Sequence, residues 1–310
     1  MLDRAAKTFF HLLAKSTVLK KLASQYGMRK PSSFARRFIA GETVEEAIAA
    51  ARAVEQQGFF QTLDYLGEGV SSLAEAEAAT RDYLKIIDKV IASGIGRNLS
   101  LKLTQLGLDV DRASAVDNLR KILGNAEGFF VRIDMESSNY TDVTLDVFET
   151  LWQQGYHQIG AVLQADLLRT EQDVKRLVTL GARIRLVKGA YKESRAVAYA
   201  NKADVDAAFE RVMKVLLLSG TYPAIATHDP AMIARTREFA TAQRITPDRF
   251  EFQMLYGIRR DLQTAILKEG YRLRIYIPFG RQWFPYFMRR LGERPANVAF
   301  VIRGIFGENK

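Results

Sequence analysis

From residue 43 onward the apolar positions change period again and again. In 43–57, 72–93, 112–126, 141–154, 170–180, 195–219, 230–243 and 258–269 they recur every three to four residues, as on one face of a helix. In 59–65, 99–104, 129–134, 158–164, 183–187, 224–227, 250–255 and 273–277 the runs are short and β-rich. Several of these begin just after a glycine turn, at Gly58, Gly128 and Gly270. Alternation of this kind predicts parallel strands joined by helical crossovers. Eight such units over about 250 residues match an α/β fold of the (βα)8 TIM-like type. A doubly wound open sheet is the alternative, but no GxGxxG follows an early strand and there is no P-loop. The expected organisation is an N-terminal helical arm over 1–42 and a barrel with C-terminal helices over 43–310.

Alternation within the strands has a chemical content. Leu101 and Leu103 share one face while Ser100, Lys102 and Thr104 share the other. Val131 and Ile133 oppose Arg132 and Asp134, and Ile184 and Leu186 oppose Arg183 and Arg185. Phe252 and Met254 oppose Glu251 and Gln253; Leu273, Ile275 and Ile277 oppose Arg272, Arg274 and Tyr276. The apolar faces suit the helical shell, so the polar faces are predicted to point inward. Buried charge is costly unless it is paired or binds a ligand. Arg132, Arg183 and Glu251 can simply neutralise one another at the bottom. Lys102, Asp134, Gln164, Arg185 and Tyr276 fall at C-terminal strand ends, where barrel enzymes keep their active sites.

After the last strand a helix opens near Trp283–Pro285, and Tyr286, Arg289, Arg290 and Glu293 then share one face. Two guanidiniums, a phenol and a carboxylate there form a receptor for a small carboxylate, or else a solvated face. Charge sharpens the picture of the other end. Arg4, Lys7, Lys15, Lys20, Lys21, Arg29, Lys30, Arg36 and Arg37 stand against Asp3 alone, so residues 1–37 hold +8 of the net +10. The body is nearly neutral, which argues against nucleic acid as a partner. Leu2, Ala5, Phe9, Leu12 and Leu13, then Val18, Leu19, Leu22 and Tyr26, form apolar stripes in that basic segment. It is either a docking element for an anionic membrane or partner, or an arm packed on the barrel. There is no cysteine, and His11, His157 and His228 are too scattered for metal-ligand spacing, so no metal is expected. With no apolar run of spanning length and no visible signal peptide, the expected location is cytoplasmic, peripheral at the inner face of the membrane.

LGEG at 66–69, LSLKLTQLG at 99–107, VRIDME at 131–136, VLQA at 162–165, RLVKGAY at 185–191, ATHD at 226–229, EFQMLYG at 251–257 and YFMRRLGE at 286–293 lie at the ends of nearly every strand. Over roughly 43–307 this set resembles the flavin-dependent proline dehydrogenases, most nearly the monofunctional bacterial type. The resemblance implies a distorted (βα)8 barrel with noncovalent FAD, or FMN, across its C-terminal strand ends. L-proline would stack on the flavin and be oxidised to delta-1-pyrroline-5-carboxylate, with electrons passed to a quinone. By motif, Arg289, Arg290 and Lys102 would hold the proline carboxylate, and Tyr276, Tyr191 and Leu255 would wall its ring. Tyr286 and Glu293 would brace the arginine pair, with Glu293 also at the cofactor, and Glu68 would gate the site by pairing with Arg289. Asp134 and Arg185 match the two positions usually given catalytic roles, Arg185 lying near the flavin. Met135, Gln164, Lys188, Gly189, Ala190, Thr227 and His228 match flavin contacts. A pyrroline-5-carboxylate dehydrogenase would be the partner that takes the product. Two rival readings stand beside it: a phosphate-binding barrel that uses Lys102, Lys188 and the arginines on an anionic sugar, and a basic adaptor that binds membrane or acidic partners through 1–37 with the barrel as scaffold.

Overall fold

A computed structural model of the chain describes residues 34–67 and 69–293, with side chains as far as Arg289. Its strands are β1 Phe60–Tyr65, β2 Asn98–Leu101, β3 Phe130–Ile133, β4 Ile159–Gln164, β5 Arg183–Val187, β6 Ala224–Ala226, β7 Glu251–Leu255 and β8 Leu273–Phe279. Each pairs in parallel with the next, and β8 closes on β1, so the sheet is a barrel in chain order. The helices are α1 Val44–Glu55, α2 Leu73–Ser93, α3 Arg112–Asn125, α4 Thr141–Gln153, α5 Thr170–Thr179, α6 Lys202–Ser219, α7 Pro230–Ala242, α8 Arg260–Lys268 and α9 Trp283–Glu293. The expected (βα)8 architecture is therefore the observed one.

Local chemistry explains where the helices start. Thr43 and Glu46 form a capping box at α1, each side chain accepting from the other's backbone N–H. Ser72 caps α2, and Gly94 ends it in the left-handed region at φ 72°. Asp229 caps α7 with Pro230 in the first turn. Two predicted boundaries move furthest. The strand expected over 99–104 stops at Leu101, and Thr104–Leu106 forms a 3-10 turn whose Thr104 hydroxyl donates to Glu136 (2.8 Å). The helix expected from 195 starts at Lys202, because 195–201 is held against the loop after β4 by the Leu167–Ala198 bridge and by Leu168 N donating to Val197 O.

The outward strand faces make the main core. Leu99, Leu101, Val131, Ile133, Ile184, Leu186, Phe252 and Ile275 are buried against helix residues such as Tyr83, Ile87, Leu119, Phe209 and Leu216. A second cluster joins Ala35, Phe38 and Ile39 to Leu66 and to Trp283, Phe284, Tyr286, Phe287 and Met288 of α9. The Trp283 indole also donates to Glu42 (3.0 Å), so the segment before α1 holds α9 in place. The part of the predicted arm over 1–33 lies outside the described residues.

Charged side chains fill the N-terminal end of the barrel, as the strand parity predicted. Arg274 grips Glu251 with two bonds of 2.7 and 2.9 Å. Arg183 lies over the Phe130 and Tyr222 rings at 4.3 and 4.8 Å, and Arg132 donates to the carbonyls of Ala161 and Arg183. Burial opposes ionisation of Glu251, yet the charge and hydrogen bonds of Arg274 win and hold it below the usual value of 4.5. A depressed carboxyl contributes stability that is complete above its unfolded value and is lost as pH falls through the folded one. Glu251→Gln should therefore destabilise the protein at neutral pH by about 1.5–3 kcal/mol. Denaturant titrations across pH should find that gap narrowing below the ordinary value of 4.5. A gap independent of pH would mean that Glu251 is not ionised in the fold.

Candidate active site

Arg185 stands near the C-terminal mouth of the barrel, 5% exposed. Its Nε donates to Gln253 Oε1 on β7 (2.6 Å), Nη1 to Asp134 Oδ1 just after β3 (2.5 Å), and Nη2 to Ser100 Oγ on β2 (3.1 Å). The other Asp134 oxygen accepts from the Tyr276 hydroxyl of β8 at 2.7 Å. Tyr276 presents its ring to the same guanidinium, 5.2 Å from centroid to Cζ. Five strands are thus tied through one arginine. Burial, with the charges of Asp134 and Asp64, pushes the Tyr276 phenol well above its usual value, so it donates and keeps its proton.

Lys102, just past β2, is buried beside Asp64 of β1, with Nζ–Oδ1 at 3.4 Å. Asp64 was absent from the sequence-predicted set. Only the strand register places it: it shares β1 parity with Thr62, whose register partner is Tyr276. Burial pushes its carboxyl up and Lys102 pulls it down, with the Asp134 charge adding to the rise; the net direction is upward.

On the opposite side of the mouth, the Gln164 amide donates to Glu136 O (3.0 Å), and Met135 is buried. His228 Nε2 accepts from the Leu255 N–H at 2.9 Å, so a neutral ring carries its proton on Nδ1. Thr227 Oγ1 accepts from Asp229 N (3.1 Å). Lys188 is held by Asp206 and by Asp229 (2.6 Å). Asp229 is held at about 2, burial opposing while Lys188 and the Ala231 N–H stabilise its charge. Gly189 follows at φ 115°, and a Cβ there would run into the Asp166 carboxylate. Ala190 is exposed, while Tyr191 and Leu255 are half-buried at the rim. Tyr286 is buried in the cluster that fixes α9, and Arg289 follows one turn on, half-buried. Arg290 and Glu293 belong to the same helix, but their side chains, like Glu68, lie outside the described residues.

The family model described as Proline dehydrogenase matches residues 47–303. Proline dehydrogenase 1 of Bacillus subtilis (strain 168) is 43% identical over 298 residues, covering 96% of this chain and 97% of that protein. Proline dehydrogenase of Deinococcus radiodurans is 41% identical over 311 residues, covering 98% of this chain and 99% of the relative. Among solved structures, proline utilization A (PutA) from Bdellovibrio bacteriovorus inactivated by N-propargylglycine superposes with a TM-score of 0.79 at 30% identity. That match covers 89% of this chain and 34% of the PutA chain, so the present fold corresponds to about a third of the larger protein. A closed parallel barrel, a buried arginine network at its C-terminal mouth and full-length similarity to these enzymes lead to one assignment: the chain belongs to the proline dehydrogenase family, oxidoreductases acting on proline.

Proposed function

We propose that this proline dehydrogenase is a flavoenzyme, with FAD as its cofactor, that converts L-proline to delta-1-pyrroline-5-carboxylate and returns the electrons to a quinone. The observation that carries this reading is the Arg185 network. Its three bonds use three of the five guanidinium N–H groups, which leaves donors for a ring edge that gains electron density. Gly189, at φ 115°, holds a backbone conformation that L side chains rarely adopt and brings no side chain of its own to the turn after β5, which suits close approach of a ligand to that backbone. On both counts the residues present fit a flavin. Arg185, Gln164, Met135, Lys188, Gly189, Ala190, Thr227, His228 and Glu293 are the residues that would hold it.

The flavin supplies the hydride acceptor, a role no protein side chain can fill. All other tasks fall to the chain. Arg289, Arg290 and Lys102 hold the carboxylate, and Tyr276, Tyr191 and Leu255 wall the ring, so that C5 has one orientation. Tyr286 and Glu293 brace the arginines, and Glu68 closes over them. Proline arrives as a secondary ammonium: the nitrogen releases one proton before C5 gives up its hydride and a second afterwards, leaving a C=N bond. Tyr276 keeps its own proton and is no base in this sequence. Asp134 holds Arg185 and Tyr276 in register for the transfer.

Among the described residues no helix is long and apolar enough to cross a membrane. The +8 of residues 1–37 suits a peripheral contact with anionic lipid, where a lipid-soluble quinone resides. A pyrroline-5-carboxylate dehydrogenase would consume the product. The test is optical: the purified protein should show flavin absorbance that bleaches anaerobically on addition of L-proline. A colourless protein without extractable flavin sinks the cofactor assignment.

A further inference from the structure

Asp64 is a buried carboxylate to which the reaction just described gives no task. Its β1 position aligns with Ser100 of β2 and with Pro278 of β8, and it points into the barrel beside Lys102. Only 1% of the residue is exposed; one oxygen faces the Lys102 ammonium, and Oδ2 is sealed from solvent without a hydrogen-bond partner. A sealed oxygen does not meet a ligand entering the mouth, so whatever Asp64 contributes passes through the groups beside it, Tyr276 and Lys102. The Tyr276 hydroxyl already donates its one proton to Asp134, which leaves Lys102 as the neighbour that can transmit it.

That neighbour needs help. Lysine carries a compact charge on a flexible four-carbon stem, and fixing it costs side-chain entropy. Arginine forks can orient themselves on a carboxylate; an ammonium cannot. Buried pairs of this kind add little stability over an apolar replacement of equal volume. Its position at the mouth, away from the helical shell, therefore calls for a reason other than stability. The separation of 3.4 Å is long for a charge-assisted bond. Such a pair orders the ammonium while engaging only one of its three donors.

We propose that Asp64 is a positioning residue for substrate binding: it holds the Lys102 ammonium at the barrel mouth in the orientation that receives the substrate carboxylate. The inference rests on the assignment of Lys102 to the carboxylate anchor. Removing Asp64's charge should weaken binding of carboxylate ligands and leave the oxidation step almost untouched. It should do nothing once Lys102 is gone, because effects transmitted through one group are not additive.

The experiment is a double-mutant cycle on the holoenzyme with Asp64→Asn, Lys102→Met and the double variant. Binding of cyclopentanecarboxylate, which has the shape of proline and cannot be oxidised at nitrogen, is measured by calorimetry beside kcat and KM for L-proline. Lys102→Met should raise Kd and KM about tenfold or more. Asp64→Asn should raise both by about fivefold with kcat within about twofold, and the double variant should match Lys102→Met. If Asp64→Asn leaves Kd unchanged, or the two losses multiply, the proposal is overturned while Lys102 keeps its role. If Lys102→Met binds the carboxylate normally, the anchor assignment and the proposal fall together. Should Asp64→Asn not fold, Lys102→Met is compared directly with the double variant: equal affinities support the proposal, and a further loss overturns it.

Discussion

Replacing Arg185 with methionine should lower turnover of L-proline by about 10²–10³-fold, the usual loss when one preorganised donor at a developing charge is removed. The same change strips Asp134 of its 2.5 Å partner and leaves that carboxylate with the Tyr276 hydroxyl. Breaking a buried pair in this way costs about 3–5 kcal/mol, so the variant should also melt earlier. Two controls separate these effects. Arg185→Lys restores charge but not the three-way fork to Gln253, Asp134 and Ser100, and should recover only part of the rate. Asp134→Asn keeps the shape and removes the buried charge, so with Arg185→Met it should regain stability without regaining rate. Stopped-flow measurement of the first turnover decides the matter: an unchanged rate in a folded Arg185→Met protein removes Arg185 from the chemistry.

Loss of both Arg289 and Arg290 should reduce kcat/KM for L-proline by about 10²–10⁴-fold, and loss of either alone by about 10- to 150-fold, since a hydrogen bond to a charged group contributes about 1.5–3 kcal/mol. Arg290→Lys should also be impaired, because an ammonium does not reproduce the planar fork. The fold makes Arg289 a sound place for an anchor: α9 is tied to the segment before α1 by Phe38 against Phe287, with ring centroids 6.2 Å apart, and by the Trp283 indole donating to Glu42 (3.0 Å). Pyrrolidine, which lacks the carboxylate, is the discriminating substrate. It should be poor in the wild type and almost indifferent to these changes. Equal proportional losses on pyrrolidine and L-proline would mean that the arginines shape the site without reading the carboxylate. Glu68→Ala should have the smaller effect, since it frees a gate and leaves the anchor.

Much of the candidate site was legible because strand parity is a local property. On β3 and β8 it puts Asp134 and Tyr276 on the polar face from the pattern alone. That the two oxygens of Asp134 divide between Arg185 and Tyr276, 51 and 142 residues away in the chain, depends on closure of the barrel. Strand β1 shows why Asp64 escaped. Its sequence FQTLDY is polar on both faces: Gln61 points outward to Gly96 O (2.6 Å), while Thr62 and Asp64 sit at positions of inward parity. Polarity alternates too weakly there to say which side is which. The RLVKGAY motif marked Lys188 as chemically important, but not that Asp206 and Asp229 already hold it.

The βα rhythm, the capped starts of α1, α2 and α7, the inward polar faces of most strands and, through its motifs, the family are all readable from the order of residues. These depend on backbone period and side-chain chemistry within about ten residues, which the order of residues carries directly. Which charges meet comes from the folded barrel alone: Arg274 with Glu251, Arg185 with Asp134 and Lys102 with Asp64, as does the packing of the segment at 34–39 on α9. Those pairings depend on register between strands and on the packing of elements distant in sequence. A shift of one residue in either would send each side chain to the other face.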